Sequence, residues 1–251
     1  MALNFLYGNV LIISTGFYSD RLIQFSNNAK LVSNKINKIT VIDVDKLDSI
    51  SGRFDWIFSC YTETSRGYKI SIEKLKLKAE ELKSKIMLDA TASIGLEINH
   101  HYADVIGYSS CKGLFGLTGA AFVAYNDPPQ NDVNSFYMNL KNHIEKKMTG
   151  PYHAICSLFE TIKSHENFKY SVIKNKEKFL NKFKSFISVP NENQPLICTY
   201  STCGIISKKD KAVLYKPRNL KSGSIVCHLG EIHLKDSAKG NIVDFLYPEK
   251  I

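Results

Sequence analysis

The strongest constraint on this chain is a rhythm in its first half, where short continuous apolar runs alternate with segments of helical periodicity. Val10-Leu11-Ile12-Ile13 ends at a Ser-Thr-Gly, and a helical pattern follows from about Asp20 to Val32. Further β-rich runs stand at 39–44, 56–60, 86–89, 105–108 and 121–124. Between two of them Ser71 opens a helix as its N-cap, with Ile72, Leu75, Ala79 and Leu82 on one face and Lys and Glu on the other. Strands that are apolar throughout, rather than alternately, are strands covered on both sides. The pattern therefore predicts an α/β fold of three layers, helix–sheet–helix, around a mostly parallel sheet. The 251 residues are enough for a large core that needs neither disulfides nor structural metal.

The pattern changes near Thr149-Gly150-Pro151. A helical stretch from about 152 to 187 follows, with a break near 165–167, and then short β-runs at 195–202, 212–216 and 224–229. This reads as a large domain over 1–148, then a linking helix and a small α+β domain over 149–251.

The formal charge of +9 is carried almost wholly by lysines spread over helix-like stretches, with arginine only at 21, 53, 66 and 218. Solvated helix faces account for it, and a nucleic-acid partner is not expected. No apolar run reaches the length of a bilayer span, so no membrane partner is expected either. Six cysteines without CxxC or zinc spacing suit a reducing, cytoplasmic setting. Adjacent His100 and His101 have no third ligand at a useful spacing, so a metal centre is not expected.

In open parallel sheets ligands sit beyond the carboxyl ends of the strands. Three loops there carry chemistry: Thr62-Glu63-Thr64-Ser65-Arg66-Gly67, Asp89-Ala90-Thr91-Ala92-Ser93-Ile94-Gly95 and Ser109-Ser110-Cys111-Lys112-Gly113. A lysine amine can hold a carbonyl as a Schiff base, and a carboxylate can keep a pyridine nitrogen protonated. Neither GxGxxG nor a phosphate loop ending in Gly-Lys-Ser/Thr is present, so a nucleotide enzyme is not supported.

Taken together, these loops and Thr15-Gly16-Phe17-Tyr18-Ser19-Asp20-Arg21 resemble the class V branch of the fold type I pyridoxal-phosphate aminotransferases. That branch includes the 2-aminoethylphosphonate–pyruvate and alanine–glyoxylate transaminases. The resemblance covers about residues 8–165 well and the remainder loosely. It implies the pyridoxal-phosphate transferase fold, pyridoxal 5′-phosphate as cofactor, and transfer of an amino group from a small donor to a 2-oxo acid such as pyruvate. Lys112 would form the Schiff base and move the proton, Asp89 would pair with the pyridine nitrogen, and Thr64 would bond near the ring oxygen. Ser110 would lie close to the phosphate. Thr149 would reach the phosphate of a neighbouring subunit, which implies a homodimer; read locally, Thr149 is also an N-cap for the helix that follows.

Three departures accompany the resemblance, one of them a segment shortened between about Thr202 and Val213, so that the small α+β C-terminal domain is expected to be truncated. Family members begin with a further segment that cradles the phosphate, so the large domain is expected to be N-terminally incomplete. Ile225 stands where the family places its substrate-binding arginine, and Arg218 is the candidate replacement. The same departures imply an alternative: a truncated or degenerate homologue that is a non-catalytic partner, or half of a split enzyme.

Overall fold

The computed structural model describes residues 1–208, 214–218, 220–229 and 242–249. Six strands form the central sheet: β1 (Gly8–Ser14), β2 (Ile36–Asp43), β3 (Trp56–Cys60), β4 (Lys85–Asp89), β5 (Val105–Ser109) and β6 (Ala121–Tyr125). Their spatial order is β2-β1-β3-β4-β5-β6. The first five are parallel, and β6 runs antiparallel to β5 along the edge. The chain steps from β1 outward to β2 and then back past β1 to β3. The order therefore reverses at the β1/β3 boundary, where such sheets place their ligands.

Burial follows the residue types. In β1, Leu11 and Ile13 face one core with Ile57, Leu88 and helix residues Ile72, Leu75, Ala79 and Leu82. Val10 and Ile12 face the opposite core with Trp56, Phe58, Met87, Leu22 and Ala29. Helix α1 (Phe17–Val32) covers the second face and α2 (Ile72–Leu82) the first, giving the three layers. Every residue of β3 is buried, whereas β2 buries only Ile36. The expectation of double coverage thus fails at β2, because an edge strand has a neighbour on one side only.

Ser71 caps α2 as the sequence predicts, its Oγ accepting the Lys74 N–H at 3.3 Å. The long helical stretch is two helices, α3 (Tyr152–Ile162) and α4 (His165–Phe183). Beyond them lies a three-stranded antiparallel sheet made of β7 (Cys198–Ser201), β8 (Leu214–Tyr215) and β9 (Ser224–Cys227), with β9 in the middle. Val172, Ile197, Cys198 and Ile225 from this part pack with Ala92, Leu96 and Phe115 from the loops beyond β4 and β5, so one apolar cluster joins the two parts. No helix among the described residues is long and apolar enough to cross a membrane.

Candidate functional site

The loops beyond β1 and β3 are locked together by one carboxylate. Glu63 is fully buried, and its Oε2 accepts the N–H groups of Tyr18 at 3.0 Å and Ser19 at 3.2 Å, with the Thr15 hydroxyl at 3.5 Å. Its Oε1 accepts the Ser65 N–H at 3.3 Å and the Ser65 hydroxyl. The first-turn donors of α1 therefore meet a charge delivered from another strand. Ser19 completes the turn by accepting from Thr15 and Gly16 N–H at 2.8 and 2.9 Å. Arg66 adds a bond from its Nη1 to the Thr15 carbonyl at 3.2 Å. Gly16 has φ 148°, and a Cβ there would come within 2.9 Å of the Arg66 Cδ. Only glycine fits that backbone and that space.

Beyond β5 the chain makes a loop whose neck is closed by Ser110. Its N–H donates to the Ala120 carbonyl at 3.0 Å, and its hydroxyl donates to the Leu117 carbonyl at 2.6 Å. The Ala120 N–H donates back to the Ser110 Oγ at 3.3 Å. Lys112 begins a single helical turn inside this loop with φ 54°, the left-handed region that non-glycine residues seldom occupy. The conformation is held from outside. A Cβ on Gly113 would meet the Ile94 carbonyl at 2.2 Å, and His165 Nε2–H donates to the Gly113 carbonyl at 2.9 Å. Backbone strain fixed by its surroundings in this way is found at sites that must aim a side chain.

Lys112 opens onto a cavity of about 550 Å³ that lies between the sheet's carboxyl end and the small sheet. Tyr18, Thr64, Cys111, Lys112, Arg218 and Ile225 are on its wall, with Cys198, Tyr215 and Cys227 from β7, β8 and β9. The Lys112 Nζ lies 5.2 Å from the Tyr18 ring centre. Among the sequence-derived candidates, Thr64, Lys112 and Arg218 line the cavity, and Asp89, Ser110 and Thr149 do not. Asp89 ends β4, half-buried, and its Oδ1 accepts the Thr91 N–H at 2.9 Å. Asp89 and Lys112 nevertheless share a neighbourhood. Burial raises the pKa of the Cys60 thiol; Asp89 and Glu63 raise it further, and Lys112 opposes them.

Ser110 is buried with its hydroxyl spent on the loop's own backbone. Thr149 is exposed, and the helix after it starts at Tyr152 with Pro151 in the cap position and no side-chain bond. The reading of Thr149 as an N-cap is thereby corrected, since Gly150-Pro151 moves the helix start beyond its reach. Ile225 is 3% exposed and packs in the apolar cluster that joins the two parts, so the position of the expected arginine is a hydrophobic wall. His100 is half-buried, bonded to the Ser93 hydroxyl at 2.9 Å and set against the Tyr61 ring. No group of three or more metal-ligating side chains occurs among the described residues.

Sequence reasoning missed the wall residues of the small sheet and the role of Glu63. Cys198 and Cys227 face each other in register across β7 and β9, a pairing that no local pattern reveals. The signal for Glu63 was an acid beside a Thr-Ser turn, which reads as an ordinary solvated residue until its distant partner is known.

The donor set fits a pyridoxal phosphate. An amine stands free at a cavity, a carboxylate ends the neighbouring strand, and a hydroxyl-bearing residue, Thr64, shares the wall with the amine. No family model matches the sequence, and no curated protein matches it either. Solved structures do match. An alanine–glyoxylate aminotransferase from Nostoc sp. superposes with a TM-score of 0.74 at 17% identity, over 97% of this chain and 76% of that one. Pyridoxamine–pyruvate aminotransferase from Mesorhizobium loti gives a TM-score of 0.70 at 13% identity, over 92% and 71% of the two chains. A pyridoxal-phosphate-bound phosphoserine aminotransferase from Trichomonas vaginalis gives 0.60 at 15% identity, over 79% and 61%. The chain thus has the fold of the pyridoxal-phosphate transferases.

Proposed function

We propose that this chain holds pyridoxal 5′-phosphate through Lys112 and transfers an amino group from a small donor, 2-aminoethylphosphonate or a small amino acid, to a 2-oxo acid such as pyruvate. The observation that carries the reading is the strained Lys112, aimed into a cavity at the carboxyl end of this particular fold. When bound, the cofactor supplies an electron sink for the pair left at the donor's Cα. The protein's own groups do the rest. Lys112 Nζ would take the proton from the donor's Cα and deliver it to the C4′ carbon of the cofactor. Asp89 holds a proton on the pyridine nitrogen, and Thr64 Oγ1 orients the ring through its oxygen. Ile197, Ile225 and Leu229 keep water from the cavity wall. Arg218 meets the anionic end of the substrate.

The division into a cofactor-binding unit, 1–148, and a part completing the wall, 149–251, belongs to the same proposal. So does a homodimer in which Thr149 serves the neighbouring subunit's phosphate. The α3 surface supports the dimer: Tyr152, Ile155, Phe159 and Ile162 recur at helical spacing and are 73, 42, 64 and 54% exposed, while only Ala154 of that helix is buried. An apolar stripe of this kind marks an interaction surface.

The test is the visible absorbance of the purified chain with pyridoxal phosphate, beside Lys112→Ala. A long-wavelength band that borohydride abolishes, absent from the variant, is the expected result, and amino-donor screening follows from it. A folded wild-type chain without the band refutes the reading. Ile225 favours a second reading, a non-catalytic partner or half of a split enzyme, because a buried isoleucine cannot grip a carboxylate. The band without turnover of any donor selects that one.

A further inference from the structure

Cys198 and Cys227 stand directly opposite one another across the antiparallel strands β7 and β9. The next pair along, Ile197 and His228, is hydrogen-bonded, the His228 N–H donating to the Ile197 carbonyl at 2.9 Å. Bonded and non-bonded pairs alternate along such a ladder, so the two cysteines hold a non-hydrogen-bonded position. There opposed Cα atoms come within about 4.5 Å and their side chains share one face. That face is the cavity wall, which both cysteines line together with Ile225, two residues before Cys227 on β9. A disulfide needs a Cα separation of roughly 4.4–6.8 Å, so this pair can be bridged without moving either strand. The remaining cysteines are placed otherwise. Cys60 Sγ donates to the Thr62 carbonyl at 3.2 Å, Cys111 and Cys203 bond the Ser109 and Ser201 hydroxyls at 3.2 and 3.3 Å, and Cys156 is exposed on α3. Burial raises the pKa of both opposed thiols, and Cys227 raises that of Cys198 further. A backbone bond from Leu229 and the charge of Lys112 pull Cys227 back down, which favours it as the attacking sulfur.

We infer that Cys198 and Cys227 form a reversible dithiol–disulfide pair on the cavity wall, a modification site that reacts with low-molecular-weight disulfides such as oxidised glutathione. The inference stands apart from the transaminase reading. The chemistry is two thiol–disulfide exchanges. Cys227, the less buried of the two, gives up its proton and attacks one sulfur of the small disulfide. The S–S bond of that molecule breaks, one half leaves as a thiol with the proton, and the other half stays on Cys227. Cys198 then gives up its proton and attacks the Cys227 sulfur, and the second half leaves as a thiol. Two protein thiols are oxidised and one small disulfide is reduced. The site feels the change on two counts. Cys198 Sγ lies 3.8 Å from the Thr64 carbonyl, and closure turns it away toward β9. Two S–H groups on the wall that Lys112 shares become a group with no proton to give. The Cα spacing lies at the short end of the disulfide range, which makes the bond easy to reduce, so a reducing compartment returns the pair to the dithiol.

The test equilibrates the full chain with oxidised and reduced glutathione at set ratios, quenches with acid, alkylates the free thiols and maps the peptides by mass. The expected product is a link within one chain between the peptides carrying Cys198 and Cys227, with the other cysteines still alkylated. Excess reduced glutathione should reverse it. Cys198→Ala should strand glutathione on Cys227, because the second exchange has no thiol, whereas Cys227→Ala should leave Cys198 unmodified. Closure ties the unfolded chain across positions 199–226, so oxidation should raise the melting temperature of wild type and leave that of the double variant where it was. The reduced double variant melting with reduced wild type excludes a folding defect. Thiols that all stay alkylatable in the native chain while the urea-unfolded chain oxidises, a link from Cys227 to Cys111 instead, or links only between chains would overturn the pair. The Lys112 absorbance test is independent: the link without the band sinks the transaminase reading alone, and the band without the link sinks the dithiol alone.

Discussion

Replacing Glu63 by glutamine exchanges one carboxylate oxygen for an amide that donates where the native group accepts. Whichever side the amide lands on, at least two donors lose their acceptor: the Tyr18 and Ser19 N–H groups with the Thr15 hydroxyl on Oε2, or the Ser65 N–H and hydroxyl on Oε1. The site is fully buried, so no water replaces the missing oxygen. An unmet buried donor costs about 1–3 kcal/mol, and the lost charge at the start of α1 adds about 0.3–1 kcal/mol. Partial relaxation of the loop reduces the sum, and Glu63→Gln should cost about 3 kcal/mol. Equilibrium urea unfolding reads this as a lower midpoint at nearly unchanged slope. Glu73→Gln is the control: it sits in the first turn of the exposed face of α2, and its loss should stay under about 1 kcal/mol. A Glu63→Gln chain within about 0.5 kcal/mol of wild type would refute the argument that this carboxylate fastens the turn.

Four further outcomes follow from the geometry. His228 is wholly buried beside Thr199 Oγ1 at 2.8 Å, and desolvation, with Lys176 adding repulsion, lowers its pKa to about 3. The unfolded chain then holds the extra proton, so stability is fully present above about pH 6.5 and falls as pH drops toward 3, by up to about 1.4 kcal/mol per unit; urea midpoints against pH should lose this slope in His228→Gln. Gly113→Ala drives a methyl against the Ile94 carbonyl and should cost at least about 2 kcal/mol while abolishing any Lys112 absorbance band. Leu75→Ala empties a fully buried position in the α2 core and should cost about 2–5 kcal/mol in the same unfolding assay. Phe159→Asp places a charge in the exposed α3 stripe and should leave sedimentation at the monomer value where wild type sediments as a dimer.

The strands and α2 were legible because each carries its own evidence. Trp56–Cys60 is apolar throughout and is wholly buried, and Ser71 caps α2 from one residue before the helix. The start of α1 was placed at Asp20, yet the helix begins at Phe17, because what holds its first turn is Glu63 on another strand. Strand direction was readable only in bulk. The antiparallel run of β6 follows from the Ser110–Ala120 loop, which turns the chain straight back along β5. At the site, the candidate lysine stood out by the loop that holds it. The opposing wall did not, since Cys198, Tyr215 and Cys227 meet Lys112 only through tertiary packing. Ser110 shows the converse: a residue type suited to phosphate whose hydroxyl is consumed by its own loop.

The Glu63 fastening also sets an order of events at the ribosome. Ser19 and the carboxylate that accepts its N–H are 44 residues apart in the chain. At about 5–20 residues per second, roughly two to nine seconds separate their synthesis. During that interval the Tyr18 and Ser19 N–H groups in the first turn of α1 have only water as acceptor, and the apolar stripe of Leu22 and Ala29 lacks the Phe58 side it will cover. The nascent chain therefore cannot complete its first helix–strand layer until the segment through Glu63 has left the exit tunnel, and a pause placed before that point would prolong the exposure of this surface to chaperones.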